Sequence, residues 1–160
     1  MASKWVWTKF LGQGSYGSVF RAECASPSLD CTYYLPKTVA IKSAPESCSW
    51  SLHMEKAILD DLRGCLHIVR CLSNEDFKST NAVGKKFYNL VLEYADQGSL
   101  EQLIKSKGGW IHETEASWGF LKYNLKIADF GLAKKGGGIS AGQGRSTSIG
   151  ELYCIVLRSL

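Results

Sequence analysis

Short runs of apolar and β-prone residues punctuate the first 95 positions, and their spacing predicts a sheet with one helix. "WVWTKFL" (5–11) and "SVFRAE" (18–23) have strand composition, with a Gly-rich turn between them. "CASPSLDCTYYLPK" (24–37) carries prolines and small polar residues and reads as a loop. "TVAIKSA" (38–44) is a short β-branched strand. In "SWSLHMEKAILDDL" (49–62), Leu52, Ile58, Leu59 and Leu62 recur near helical spacing, with Ser49 or Ser51 as N-cap and Gly64 as the stop. "HIVRCLS" (67–73) and "KKFYNLVLEYA" (85–95) read as two further strands, joined by a polar loop from Asn74 to Lys85. The expectation is an α+β unit: a twisted antiparallel five-stranded sheet plus one helix.

Past Ala95 the pattern changes. "DQGSLEQLIKSK" (96–107) predicts a short helix with Leu100, Leu103 and Ile104 on one face, ended by Gly108 and Gly109. "GWIHETEASWGF" (109–120) is ambiguous, with room for one or two helical turns. "KKGGGISAGQGRSTSIG" (134–150) is Gly/Ser-rich with few apolar anchors and reads as mobile. The closing "ELYCIVLRSL" is apolar and β-prone, with nothing after it to supply a partner strand. These shifts divide the chain into 1–95, 96–135 and a flexible 136–160.

Composition narrows the class. A chain of 160 residues, 45% hydrophobic and 21% charged, is a globular protein long enough to bury a core. No apolar run approaches the ~20 residues a membrane span needs, and "MASKWVWTKF" lacks the apolar stretch of a signal peptide. That predicts an intracellular protein, cytoplasmic or nuclear, without a membrane partner. The six cysteines then read as reduced thiols, and none form a C-x-x-C pair that would suggest zinc or redox chemistry. The net charge of +4 is mild and the lysines are scattered, so no nucleic-acid partner is expected.

Two local patterns carry chemistry. Gly12, Gly14 and Gly17 in "LGQGSYGSVF" stand in G-x-G-x-x-G register, a spacing also used by dinucleotide-binding turns. A dinucleotide turn opens a helix, whereas "SVFRAE" has strand composition. Asp30 falls near the spacing of a ribose-binding acid, but the loop before it holds Pro27 and does not read as a crossover. Glycines at a hairpin tip let backbone N–H groups approach phosphate oxygens, although a plain Gly-rich hairpin explains the motif equally well. Next, Lys42 ends "VAIK" on a strand and precedes a helix bearing Glu55. A strand-borne lysine is usually a solvated polar residue; one held by a carboxylate is fixed in direction and can grip phosphates as a point charge. Glu46, Glu55, Asp60 and Asp61 compete for that partnership. Glu55 is favoured because it lies three and four residues before Ile58 and Leu59 on the inward face.

"LGQGSYGSV", "VAIK", "EKAIL", "HIV", "LVLEYADQGSL" and "KIADFGLAK", in that order, resemble the eukaryotic protein kinases of the serine/threonine class, over roughly residues 4 to 135. The wording "YNLVLEYADQGSL" is most similar to plant mitogen-activated protein kinase kinase kinases. The resemblance implies a kinase-like small lobe with a remnant of the helical large lobe, with ATP and Mg²⁺ as cofactors. It implies that Gly12, Gly14 and Gly17 form the lid over the ATP phosphates, and that Leu11, Val19 and Ala40 form the apolar roof of the adenine pocket. Lys42 would hold the α- and β-phosphates with Glu55 as its helix partner. Leu92 would be the gatekeeper, the Glu93 carbonyl and Ala95 N–H would bond adenine, and Ser99 would lie near the ribose. Asp129 would be the metal-holding acid, a hard oxygen ligand suited to Mg²⁺. Leu59, Cys71 and Phe130 match the family's internal spine, and a protein partner in a kinase cascade is implied.

The sequence also departs from that family. The loop H-R-D-x-x-x-x-N, whose Asp is the base and whose Asn holds a second metal, does not occur between Lys107 and Asp129. The one His there is His112, without Arg-Asp after it, and Asn124 is too close to Asp129 to replace the metal-binding Asn. The 21 positions from 108 to 128 are too few for a long helix, a catalytic loop and two strands. No A-P-E triplet follows, and Ser140, Ser146, Thr147 and Ser148 lie where an activation-loop phosphosite would be. No residue is therefore assigned as catalytic, and phosphoryl transfer by this chain is expected to be negligible, since losing a positioned base alone typically costs about 10²–10⁴-fold. A pseudokinase-like interaction module and a truncated splicing or gene-model product are the competing expectations. Without a large lobe, Leu59, Cys71 and Phe130 are expected to leave an apolar patch exposed.

Overall fold

The computed structural model describes residues 5–25, 36–73, 77–113, 123–130 and 154–159. Strand β1 (Trp5–Gly14) and β2 (Gly17–Cys24) form a hairpin whose tip pairs Gly14 with Gly17. Strand β3 (Thr38–Pro45) leads through a 3-10 turn (Glu46–Cys48) into helix α1 (Trp50–Asp61). Strands β4 (Phe77–Thr80) and β5 (Lys86–Glu93) complete an antiparallel sheet of five strands in the order β1-β2-β3-β5-β4. Helix α2 (Leu100–Ser106) and a two-stranded ribbon of β6 (Tyr123–Ala128) and β7 (Cys154–Ser159) follow. The predicted α+β fold, a five-stranded antiparallel small-lobe sheet with α1 on one face, is the fold observed.

Alternation along the central strands sorts their side chains into two cores. Ala40, Ala44, Tyr88, Leu90 and Leu92 pack with Leu52, Ile58 and Leu59 of α1, while Val39, Ile41 and Val91 pack on the other face with Trp5 and Ala22. Successive strand residues face opposite ways, so Lys42, between Ala40 and Ala44, is committed to the helix-covered face. The buried positions of α1 are Ser51, Leu52, Glu55, Ile58 and Leu59, a stripe at i, i+3/i+4 spacing. Glu55 stands inside that stripe.

Two local expectations are corrected. "HIVRCLS" is not a strand, and β4 lies inside what reads as the polar loop from Asn74 to Lys85. The physical reason is that 67–72 divides its backbone between two partners. Leu72 N–H donates to Val91 O (2.8 Å) and Glu93 N–H to Arg70 O (2.9 Å) on one side. On the other side Val69 N–H donates to Ile127 O (3.0 Å) and Ile127 N–H to His67 O (2.8 Å). Only isolated bridges result, Ile68 with Ile127 and Cys71 with Leu92. β4 then takes the remaining edge of β5, pinned where Asn89 Nδ2 donates to Ser79 Oγ (2.8 Å).

Helix α2 begins with a reciprocal cap. Ser99 Oγ accepts from Gln102 N–H (3.2 Å), and Gln102 Oε1 accepts from Ser99 N–H (3.0 Å). Gly109 N–H closes the other end on Ile104 O (3.0 Å). In α1, by contrast, Ser49 occupies the N-cap position but its hydroxyl donates back to Glu46 O (2.9 Å) and caps nothing.

Three further expectations change. Leu59 and Phe130 are buried and Cys71 is half-buried against the same core, so these three do not form the exposed patch foreseen for them. Cys24 is disulfide-bonded rather than reduced, whereas Cys48, Cys65 and Cys71 are free thiols. The closing segment does find a strand partner: β7 runs antiparallel to β6, with Cys154 opposite Ala128 and Ser159 opposite Tyr123. The ambiguous stretch at 114–120, the phosphosite candidates and the Gly/Ser-rich run at 136–150 lie outside the described residues. Among the described residues no helix is long and apolar enough to cross a membrane.

Candidate functional site

Three elements bring charged groups to one point beneath the sheet. Lys42 Nζ donates to Glu55 Oε2 at 2.8 Å and to Asp129 Oδ1 at 2.7 Å. The side chains of Lys42 and Glu55 are buried, while that of Asp129 is 42% exposed. Glu55 uses its second oxygen, Oε1, to accept the Phe130 N–H at 3.2 Å. One carboxylate of α1 thus holds both the lysine of β3 and the backbone just beyond β6. Of the competing acids, Glu46 pairs with Lys78, and Asp60 pairs with Lys56 and Arg63. Register selected the right partner.

Electrostatics keep Lys42 charged. Burial would lower its pKa, but the charge of Glu55 and hydrogen bonds to Asp129 and Glu55 outweigh it and raise the pKa above the ordinary lysine value. Two carboxylates converge on one ammonium. Asp129, the exposed member, has φ +66°, the one positive value at a non-glycine among the described residues. Such a backbone costs about 1–3 kcal/mol and persists only where its surroundings enforce it. Here Lys42 holds the side chain and Glu55 holds the next amide.

The glycine hairpin divides into required and unrequired positions. Gly17 has φ +149°, and a Cβ there would meet Ser43 O at 2.5 Å, so glycine is dictated by the fold. A Cβ on Gly12 would meet nothing within 4 Å, and one on Gly14 only Gly17 O at 4.0 Å; neither has positive φ. Side-chain space at Gly12 and Gly14 is open, leaving a cradle that methyl groups would narrow.

The remaining predicted positions cluster in part. Leu11 and Val19 are half-buried and pack on the core that includes Ala40 and Leu92. Ala40 and Leu92 are direct partners across β3 and β5. Glu93 ends β5, Ala95 follows it half-buried, and Ser99 sits further on as the cap of α2. No group of three or more metal-ligating side chains occurs among the described residues. Asp129 would hold a cation only together with ligand and water oxygens, which is how Mg²⁺ is ordinarily held.

Sequence reasoning missed a second buried cluster. Lys126 Nζ donates to Glu93 Oε2 at 2.9 Å, and both side chains are buried. The same oxygen accepts Arg70 N–H (3.2 Å) and Arg70 Nε (3.3 Å). The available signal was a lysine inside the apolar strand "NLKIA", where a charge needs a partner.

No family model matches the chain. It is 36% identical over 106 residues to mitogen-activated protein kinase kinase kinase 20 of Arabidopsis thaliana, an alignment covering 66% of this chain and 29% of that protein. The chain thus spans less than a third of that relative's length. With the fold, the similarity supports a kinase-like relationship.

Proposed function

We propose that this chain binds Mg²⁺–ATP through a small lobe of the protein-kinase type and does not itself transfer the phosphoryl group. The observation that carries the reading is Lys42, buried and charged, held between Glu55 and Asp129. A lysine fixed in this way presents its ammonium toward phosphate oxygens without reorganising. Gly12 and Gly14 leave room for phosphates to approach the hairpin backbone, and Leu11, Val19, Ala40 and Leu92 supply one apolar wall for a base. The Glu93 carbonyl and Ala95 N–H would hold the adenine edge, and Ser99 would lie toward the ribose. Mg²⁺, when bound, would neutralise phosphate charge, with Asp129 as the protein's ligand. The absence of an H-R-D-x-x-x-x-N loop between Lys107 and Asp129 leaves no base for a substrate hydroxyl. A kinase-cascade protein partner follows from the relationship and remains part of the proposal.

A thermal-shift titration tests the site. Ligand at 100 times its Kd stabilises the folded state by about 2.7 kcal/mol. Mg²⁺–ATP should therefore raise Tm in wild type and leave Lys42→Ala unchanged. No shift in wild type, or equal shifts in both, overturns the reading. Phosphorylation of a generic protein substrate should stay at background, and Asp129-dependent activity would overturn the non-catalytic half.

A further inference from the structure

The strand that delivers Asp129 lies outside the five-stranded sheet. Besides the apolar packing of Ile127, Ala128 and Phe130 on the core, it is tied to the small lobe by the segment 67–72, the Glu55 carboxylate on Phe130 N–H, the Lys42–Asp129 pair and the Lys126–Glu93 pair. Of these, Lys126–Glu93 alone joins β6 side chain to side chain with the end of β5. Lys126 stands three residues before Asp129, and Glu93 stands where the proposed adenine-contacting stretch begins.

A buried lysine must justify its desolvation. Lys126 and Glu93 have side chains only 7% and 3% exposed. Lys126 also reaches Ile68 O at 3.5 Å, the limit of a hydrogen bond. Arg70 adds two donors to Glu93 Oε2, its backbone N–H and the Nε–H of a side chain that is itself half in water, at 55% exposure. One carboxylate oxygen therefore gathers donors from β6 and from the 67–72 segment, and its own backbone N–H bonds Arg70 O. Apolar residues of similar size could fill such a volume without the desolvation cost. What they would not supply is direction, since an ion pair fixes the register of β6 against β5 and dispersion contacts tolerate sliding.

We propose that Lys126 is a positioning residue of the nucleotide site: by pairing with Glu93 it sets β6 against β5, and so places Asp129 within reach of Lys42. This rests on the nucleotide reading above for its functional consequence, though not for the positioning itself. Lys126 touches no nucleotide in this account. It acts through three residues of strand.

The test uses the full chain and the variants Lys126→Met, Lys126→Arg and Glu93→Gln. Isothermal titration measures adenosine, which has no phosphate, alongside Mg²⁺–ATP. Amide exchange by NMR follows the N–H groups of Ile127 and Phe130, with Ile41 in β3 as an internal control. Lys126→Met should weaken Mg²⁺–ATP about tenfold more than adenosine, the scale typical of groups that orient a metal ligand. It should also speed exchange at Ile127 and Phe130 about tenfold while leaving Ile41 unchanged, as local opening does. Lys126→Arg, which keeps the pair, should restore both. Equal loss of the two ligands, or uniform acceleration that includes Ile41, makes Lys126 a stability residue only and overturns the proposal. If wild type binds no Mg²⁺–ATP, the nucleotide reading fails, and exchange at Phe130 alone decides: unchanged protection in Lys126→Met overturns the positioning. Should Lys126→Met not fold, Glu93→Gln carries the same expectations, because its amide still accepts one hydrogen bond but no longer pairs a charge.

Discussion

Two buried lysines, both paired with a buried glutamate, sit on different strands and face different demands. Lys42 shares itself between Glu55 and the half-exposed Asp129, so its cluster has an opening to water. Lys126 and Glu93 are buried together, and the half-exposed Arg70 side chain bonds the same Glu93 oxygen. A half-exposed carboxylate attracts a cation, whereas a half-exposed guanidinium repels one. Burial and pairing are thus common to both clusters; what separates them is the group on the solvent side, a carboxylate at Asp129 and a guanidinium at Arg70.

The sharpest way to break this contrast is at Glu55. Glu55→Leu removes the buried partner of Lys42, leaving only the half-exposed Asp129, and the acceptor of Phe130 N–H with it. Uncompensating a buried charge in this way costs about 3–5 kcal/mol. Urea denaturation should show that loss, and Lys126→Met should lose less, because Arg70 remains on Glu93.

The glycines come next in size. Gly17→Ala forces a Cβ against Ser43 O at positive φ and should lose about 1–3 kcal/mol in the same measurement. Gly12→Ala meets open space and should be neutral or stabilising by up to about 1 kcal/mol. If the cradle reading holds, Gly12→Ala nevertheless weakens Mg²⁺–ATP binding; equal affinity in the titration would deny Gly12 any role at the phosphates.

A smaller stability effect is expected at Asp129. Its side chain is 42% exposed, and removing its charge should change stability by at most about 1 kcal/mol, as for other solvent-reached pairs. Asp129→Asn should instead abolish the Mg²⁺ dependence of nucleotide affinity. A persistent Mg²⁺ effect would show that the cation is held elsewhere.

The smallest effect is with pH. The Lys42 pKa is raised above 10.5, so its contribution is fully present below that value and disappears as pH climbs through the higher folded value. Denaturation midpoints should be insensitive to Lys42 through neutrality and fall only in strong alkali, and Lys42→Met should flatten that alkaline limb. Glu46 has the opposite sign. The hydrogen bond from Lys78 holds its pKa below 4.5, so its contribution is present above 4.5 and lost as acid is added. Because both side chains reach solvent, that pair should weaken in salt. An alkaline limb unaltered by Lys42→Met would contradict the raised pKa.

Legibility followed the range of the interactions. The hairpin, β3, α1 and β5 were readable because alternation and helical spacing are local, and Glu55 was readable because it shares a stripe with Ile58 and Leu59. β4 was not, since "FKST" is a short, mostly polar run that becomes a strand by pairing with β5, with Asn89 Nδ2 on Ser79 Oγ as an added tie. "HIVRCLS" misled because its composition is β-prone while its hydrogen bonds go to two different strands. The cysteine expectation failed at Cys24 because nothing in spacing reports proximity.

By itself the sequence determined which residue types the site could use and which face of β3 and α1 would carry them. Periodicity converts order along the chain into direction, and that sufficed to aim Lys42 at Glu55. The tertiary structure alone decided that Asp129, 87 residues from Lys42, completes the cluster. It alone decided that Lys126 finds Glu93 and that β7 closes on β6. Those pairings join segments whose separation along the chain carries no periodic signal, and β6 meets the small lobe through the 67–72 backbone and through Lys126 on Glu93.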